Sequence, residues 1–162
     1  MASTFSTSLK LELQATGENA GTWGDKTNTN LQLVEQAVAG YEEVSIAGGA
    51  GTTALTMSDG AASNARNMVI KLTGTITGNR IVTVPDSMEK VYIVSNGTTG
   101  SFTVQFKTAS GTGYTFVAAD KSVRVLFADG TNVVDTGIIN TSSTDTLTNK
   151  TLTTPTINGA TT

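Results

Sequence analysis

The residues in this chain that could do chemistry are carboxylates. Asp59, Asp86, Asp120 and Asp129 sit in turn-like clusters such as SDGAASN, PDSMEK and ADG. Two carboxyl groups flanking a glycosidic bond are the machinery of glycan hydrolysis. Here no spacing brings two of them together, and a carboxylate in a turn commonly bonds its own backbone. The 162 residues contain no histidine and no cysteine. That removes the commonest general base and metal ligand, and with them serine–histidine and cysteine–histidine nucleophile systems. There is no Gly-x-Ser-x-Gly elbow and no phosphate loop ending Gly-Lys-Ser/Thr. Gly48, Gly49 and Gly51 form no dinucleotide fingerprint. The expectation is a protein that is not an enzyme, with no catalytic residue, cofactor, metal or small-molecule substrate.

Composition says which elements carry these residues. Threonine fills 31 positions and glycine 17, while charged residues make up 14%, against roughly 25% in an average soluble domain. β-Branched residues suit a pleated surface and glycine supplies turns, so the mix predicts a mainly β protein. Net charge is −3 and no basic stripe occurs, which argues against nucleic acid as a partner. No apolar run reaches the roughly 18 residues of a membrane span, and the N-terminal residues lack the pattern of a secretion signal.

Residues 1–22 read as an extended arm. Phe5 stands near its start, and Leu9, Leu11 and Leu13 alternate with Lys10 and Glu12, which suits a short half-buried strand. Such a strand needs a surface on its own domain, a sister chain or a partner. Docking elsewhere predicts that deleting 1–22 leaves the rest folded. Next, Trp23, Thr27, Leu31, Val34, Val38 and Tyr41 recur at three- and four-residue steps, with Ala37 on the same face. This predicts an amphipathic helix over about 23–39. Thr22 is placed to cap it, Asp25 to suit its dipole, and Gly40 to end it. Trp23 reads as a packing anchor, with ligand stacking as the alternative.

From 41 to 136 the period switches to two. Val44 and Ile46, Leu55 and Met57, Met68, Ile70 and Leu72, Phe102, Val104 and Phe106, and Val123, Val125 and Phe127 each mark an apolar face. Glycine-rich turns separate these runs. Eight or nine short strands at this spacing predict an antiparallel β-sandwich, its core filled by Tyr92, Phe102, Phe106, Tyr114, Phe116 and Phe127. Carbohydrate binding would need exposed aromatic platforms, and Tyr92 beside Tyr114 is the pair to watch.

Residues 137–162 are threonine-rich and contain no aromatic residue. Leu147, Leu152 and Ile157 stand five apart in TLTNK, TLTTP and TINGA. A five-residue step does not fit one strand face. Either the segment is a polar linker, or identical chains intertwine there as the start of a β shaft and bury those three side chains between them.

The run LKLELQATGENAGTWGDKTNTNLQLVEQAVAGY resembles the N-terminal region of bacteriophage tail-fibre and virion appendage proteins of the marine and cyanobacterial phage type. ARNMVIKLTGTITGNRIVTVPD, ADGTNVVDTG and the closing DTLTNKTLTTPTI are similar to the same module and to its passage into a shaft. The resemblance implies a structural virion protein in the tail appendage: the base of a homotrimeric fibre that contacts tail adaptor or nozzle proteins. Phe5, Leu9, Leu11, Leu13 and Trp23 become the candidate tail-attachment residues, and Leu147, Leu152 and Ile157 the candidate inter-chain contacts. The rival readings are a tail adaptor or decoration protein and a carbohydrate-binding module of a virion appendage.

Overall fold

The computed structural model describes residues 2–138; the expected shaft contacts Leu147, Leu152 and Ile157 lie outside them. In chain order the elements are β1 (Thr4–Phe5), β2 (Glu12–Leu13), α1 (Trp23–Ala39), β3 (Tyr41–Ser45), β4 (Gly51–Ala54), a 3-10 turn (Asn64–Arg66), β5 (Val69–Thr75), β6 (Arg80–Val84), β7 (Glu89–Thr99), β8 (Val104–Thr108), β9 (Gly113–Phe116), β10 (Val123–Asp129) and β11 (Val133–Asp135). The protein is mainly β with one helix, as expected. The helix bounds also match.

Strand pairing departs from the expected antiparallel sandwich. One sheet has the order β11-β10-β7-β5-β3 and the other β4-β6-β8-β9. β3, β5 and β7 pair parallel, and so do β4, β6 and β8. The chain therefore winds: each coil gives one strand to each sheet, and successive coils stack. Only β9, β10 and β11 add antiparallel. The glycine clusters at 47–51, 58–64 and 77–80, and the one ending at Gly100, look like hairpin turns but are corners that carry the chain across to the other sheet, whereas those at 110–113 and 128–130 are hairpin turns. The corners stack as well. Gly48 bridges Ile76, and Ile76 N donates to Thr99 O at 2.9 Å. Gly100 follows with φ +105°, and a Cβ there would sit 2.2 Å from Ile76 O. Glycine at this corner answers both a left-handed backbone and a close approach.

Between the sheets lies one apolar core. Ile70, Leu72, Tyr92, Val94 and Leu126 face Val82, Val84, Val104, Phe106 and Phe116. Each such side chain contributes roughly 1.5–3 kcal/mol by leaving water. The rings of Tyr92 and Phe106 meet edge to face at 5.4 Å. Tyr114 packs half-buried against the core. Two of the expected core aromatics do not belong to it, because Phe102 and Phe127 are exposed. On β10 the inward row is Arg124, Leu126 and Ala128, so Val123, Val125 and Phe127 face outward.

Candidate functional site

Residues 2–22 are not a free arm. β1 and β2 form a small antiparallel hairpin, Thr4 opposite Leu13 and Phe5 opposite Glu12. Asn30 of α1 grips its second strand as a neighbouring strand would: Glu12 N donates to Asn30 Oδ1 at 2.9 Å and Asn30 Nδ2 to Glu12 O at 2.8 Å. Lys26 pairs with the Glu12 carboxylate at 3.0 Å. Among its own hydrogen bonds, the hairpin accepts Gly60 N at Lys10 O and Glu89 N at Ser8 Oγ. The Phe5 ring lies against Gly60.

Arg66 ties these pieces together. It is fully buried. Its Nε donates to Leu9 O of the hairpin at 3.1 Å, and one terminal nitrogen to Gln36 Oε1 of α1 at 3.4 Å. That same nitrogen also reaches Ala61 O and Ser63 Oγ, and the other terminal nitrogen donates to Ser58 O, all in the loop before it. Every one of these acceptors is neutral, and burial pulls the guanidinium pKa down. Sequence reading missed this hub. A lone arginine in a turn-like stretch carries no periodic signal of burial. The hub also corrects the deletion expectation, since removing 1–22 would strip the donor at Arg66 Nε and the Gly60 amide of their acceptors.

α1 presents two faces. Leu33 and Ala37 are buried. The apolar stripe marked by the sequence period is real but points outward: Trp23 is 67% exposed, Leu31 62% and Val38 63%, with Val34 and Tyr41 exposed beside them. Among the described residues Trp23 is thus not a packing anchor. Thr22 makes no side-chain cap; its Oγ1 donates back to Asn19 O at 3.3 Å. Gly40 closes the helix with an extended backbone, φ −71°, where a Cβ would meet Gln36 O at 2.2 Å. Of the other candidate attachment residues, Phe5 and Leu13 are exposed, while Leu9 and Leu11 are half-buried by the hairpin's docking.

The stripe leads onto the outer face of the five-stranded sheet. Register places Tyr41, Val69, Ile93 and Val125 in one outward row. Val91, Phe127 and Val134 form a second. Most solvent-facing sheet surfaces alternate to polar residues. Tyr41, Val91, Phe127 and Val134 are exposed, and Val69, Ile93 and Val125 half-buried between them; large exposed apolar patches are a general feature of interaction surfaces.

The chemistry-bearing residues are engaged in structure. Asp129 accepts from Thr131 N and Asn132 N of its own turn. Asp86 accepts from Ser110 N at 3.0 Å. Asp59 meets Lys10 at 4.0 Å. Asp120 accepts from Tyr114 Oη at 2.9 Å and faces Arg124 at 3.6 Å, with Asp135 on the other side of that guanidinium. Burial alone would raise the Asp120 pKa; hydrogen bonds from Ser122 and Tyr114 and the nearby Arg124 outweigh it and hold the carboxyl low. Among the described residues no group of three or more acidic side chains is placed to hold a metal. Tyr92 is buried with its hydroxyl on Ala65 O, so Tyr92 and Tyr114 make no stacking platform.

Lys90 yields a pH prediction. Its Nζ donates to Asn67 O and Val91 O and lies 4.4 Å from the Tyr92 ring centroid. Burial depresses its pKa to about 8 from an ordinary 10.5. Between those values the unfolded chain holds a proton that the folded chain has released, so stability rises with pH. Burial raises the Tyr92 pKa, as do burial and then the Asp120 hydrogen bond for Tyr114. Above their ordinary value of 10.0, the unfolded chain loses protons that the folded one keeps, and stability falls. Urea midpoints should climb from pH 8 and turn down above about pH 10. Lys90→Met should flatten the climb and leave the downturn.

A scan of protein-family models and searches of curated proteins and of solved structures return no match to this chain.

Proposed function

We propose that this chain is a structural virion protein: the base of a trimeric phage tail fibre, mounting the fibre on the tail. The observation that carries this reading is the apolar surface left in water by a single copy, from Trp23 along α1 and across the outer sheet face. A catalyst or small-ligand binder concentrates convergent polar groups in a concave site; a mounting module needs broad faces for neighbours. The sequence resemblance supplies the neighbours' identity: tail adaptor or nozzle proteins at the N-terminal end, and sister chains in the shaft. Phe5 and Leu13 on the hairpin, with Trp23 at the head of α1, form the tail-facing end. Leu9 and Leu11 hold the hairpin in place behind them.

Antibody raised against the purified chain should label the tail appendage in electron micrographs of intact particles, and quantitative mass spectrometry should give three copies per appendage. Labelling confined to the capsid, or particles free of the chain, would overturn the proposal. Six or twelve copies per tail would favour an adaptor ring instead.

A further inference from the structure

We propose that the outward stripe of α1 packs against the same stripe of a second copy of this chain. The inference deepens the mounting-module reading and rests on it only in treating the stripe as an interface; it assigns Leu31, Val34 and Val38 to a sister chain and leaves Trp23 for the tail.

Three observations favour a second copy. Thr27, Leu31, Val34 and Val38 follow steps of four, three and four residues, the spacing of a seam in which like helices interlock side chain into gap. The seam and its rim also suit self-contact. The charged residues of α1 are Asp25, Lys26 and Glu35. Lys26 is committed to Glu12 at 3.0 Å, and the seam itself is uncharged. An axis of symmetry brings like groups together, which an uncharged seam tolerates, whereas a foreign partner of opposite charge finds no basic or strongly acidic row to read. The third observation is area. The exposed parts of Leu31, Val34, Val38 and Tyr41 amount to on the order of 400 Å², short of the roughly 800 Å² per partner of a stable interface. Tyr41 carries the surface onto the outward row with Val69, Ile93 and Val125 and the neighbouring row of Val91, Phe127 and Val134, and together these reach on the order of 700 Å², close to that size. The chain's own residues 139–162 fit the stripe less well, because Leu147, Leu152 and Ile157, five residues apart, do not share its four-three-four spacing.

The absence of cysteine makes the test clean. Leu31→Cys and Val38→Cys, made singly in the full chain, place thiols on the seam; Gln32→Cys and Asn28→Cys place them off it. Circular dichroism and thermal melting confirm that each variant folds. Under mild oxidation the seam variants should form disulfide-linked pairs at least about tenfold faster than the off-seam ones, because packed helices raise the local thiol concentration far above that of random encounter. A monomeric mass without cross-links at 31 and 38 would overturn the inference, as would equal cross-linking at all four positions. An oligomer without seam cross-links would overturn it while leaving the shaft and the virion reading intact. Seam cross-links in a chain that antibody does not find on particles would leave the inference standing and remove the virion reading.

Discussion

Replacing Arg66 with methionine is expected to destabilise the protein by about 3–5 kcal/mol, enough to unfold a marginal domain. Methionine fills much of the volume, so the loss comes from polar groups rather than from a cavity. The guanidinium satisfies Leu9 O, Ser58 O and Ala61 O together with the Gln36 and Ser63 side chains. A hydrogen bond to a charged group contributes about 1.5–3 kcal/mol, and the five lost here are part-buried. Because those acceptors lie on the hairpin, the helix and the 58–63 loop, their loss also frees the hairpin. Limited proteolysis should therefore cut between residues 5 and 20 in the variant and not in the wild type. Arg66→Lys should lose more than half of the same stability, since an ammonium is a point donor that cannot span acceptors on three elements. Urea denaturation measures both. A loss under about 1 kcal/mol for the methionine variant would mean that water replaces the guanidinium freely and that Arg66 is not a hub.

The stripe of α1 shows how much of this was legible in the sequence. Its helical period and Gly40 set the helix limits because they act locally. What covers the stripe is not local: periodicity reports that a face is apolar, not whether the same chain buries it, and here the buried residues Leu33 and Ala37 sit beside the stripe. β10 failed for a related reason. Val123, Val125 and Phe127 look like a core face, yet the inward row contains Arg124 beside Asp120 and Asp135, a polar cluster that a hydrophobic pattern discards. Strand positions were readable from alternation. Their partners were not, because a glycine-rich corner between sheets has the same residue chemistry as a hairpin turn, and parallel partners such as Tyr41 and Val69 are separated by a whole coil. Much of the hairpin's docking runs through backbone groups at Leu9, Lys10 and Glu12, which leave no mark on residue type. The absence of histidine and cysteine was the easiest feature to read, since it needs no geometry.

The same substitution made on the two faces of the sandwich should give opposite results. Phe106 is fully buried on β8, edge to face with Tyr92. Phe106→Ala removes a ring from a packed core that relaxes only in part, at a cost of about 3–5 kcal/mol. Phe127 stands on β10, paired with Val91 and Val134 and 37% exposed on the outer face. In a dilute, unassembled chain Phe127→Ala should cost about 1 kcal/mol or less, since little of its contact area is lost from the core. In the assembled protein the ranking should change in kind. Phe106→Ala lowers the urea midpoint at every protein concentration. Phe127→Ala leaves the dilute midpoint nearly unchanged but removes part of the rise in stability that self-association gives as concentration increases. Measuring both variants over a hundredfold range of concentration, on the order of 0.1–10 μM, separates the two roles. Equal losses in the dilute chain would place Phe127 in the core and reverse the facing of β10. A Phe127 effect that ignores concentration would mean that the outer sheet face is not an interface between copies.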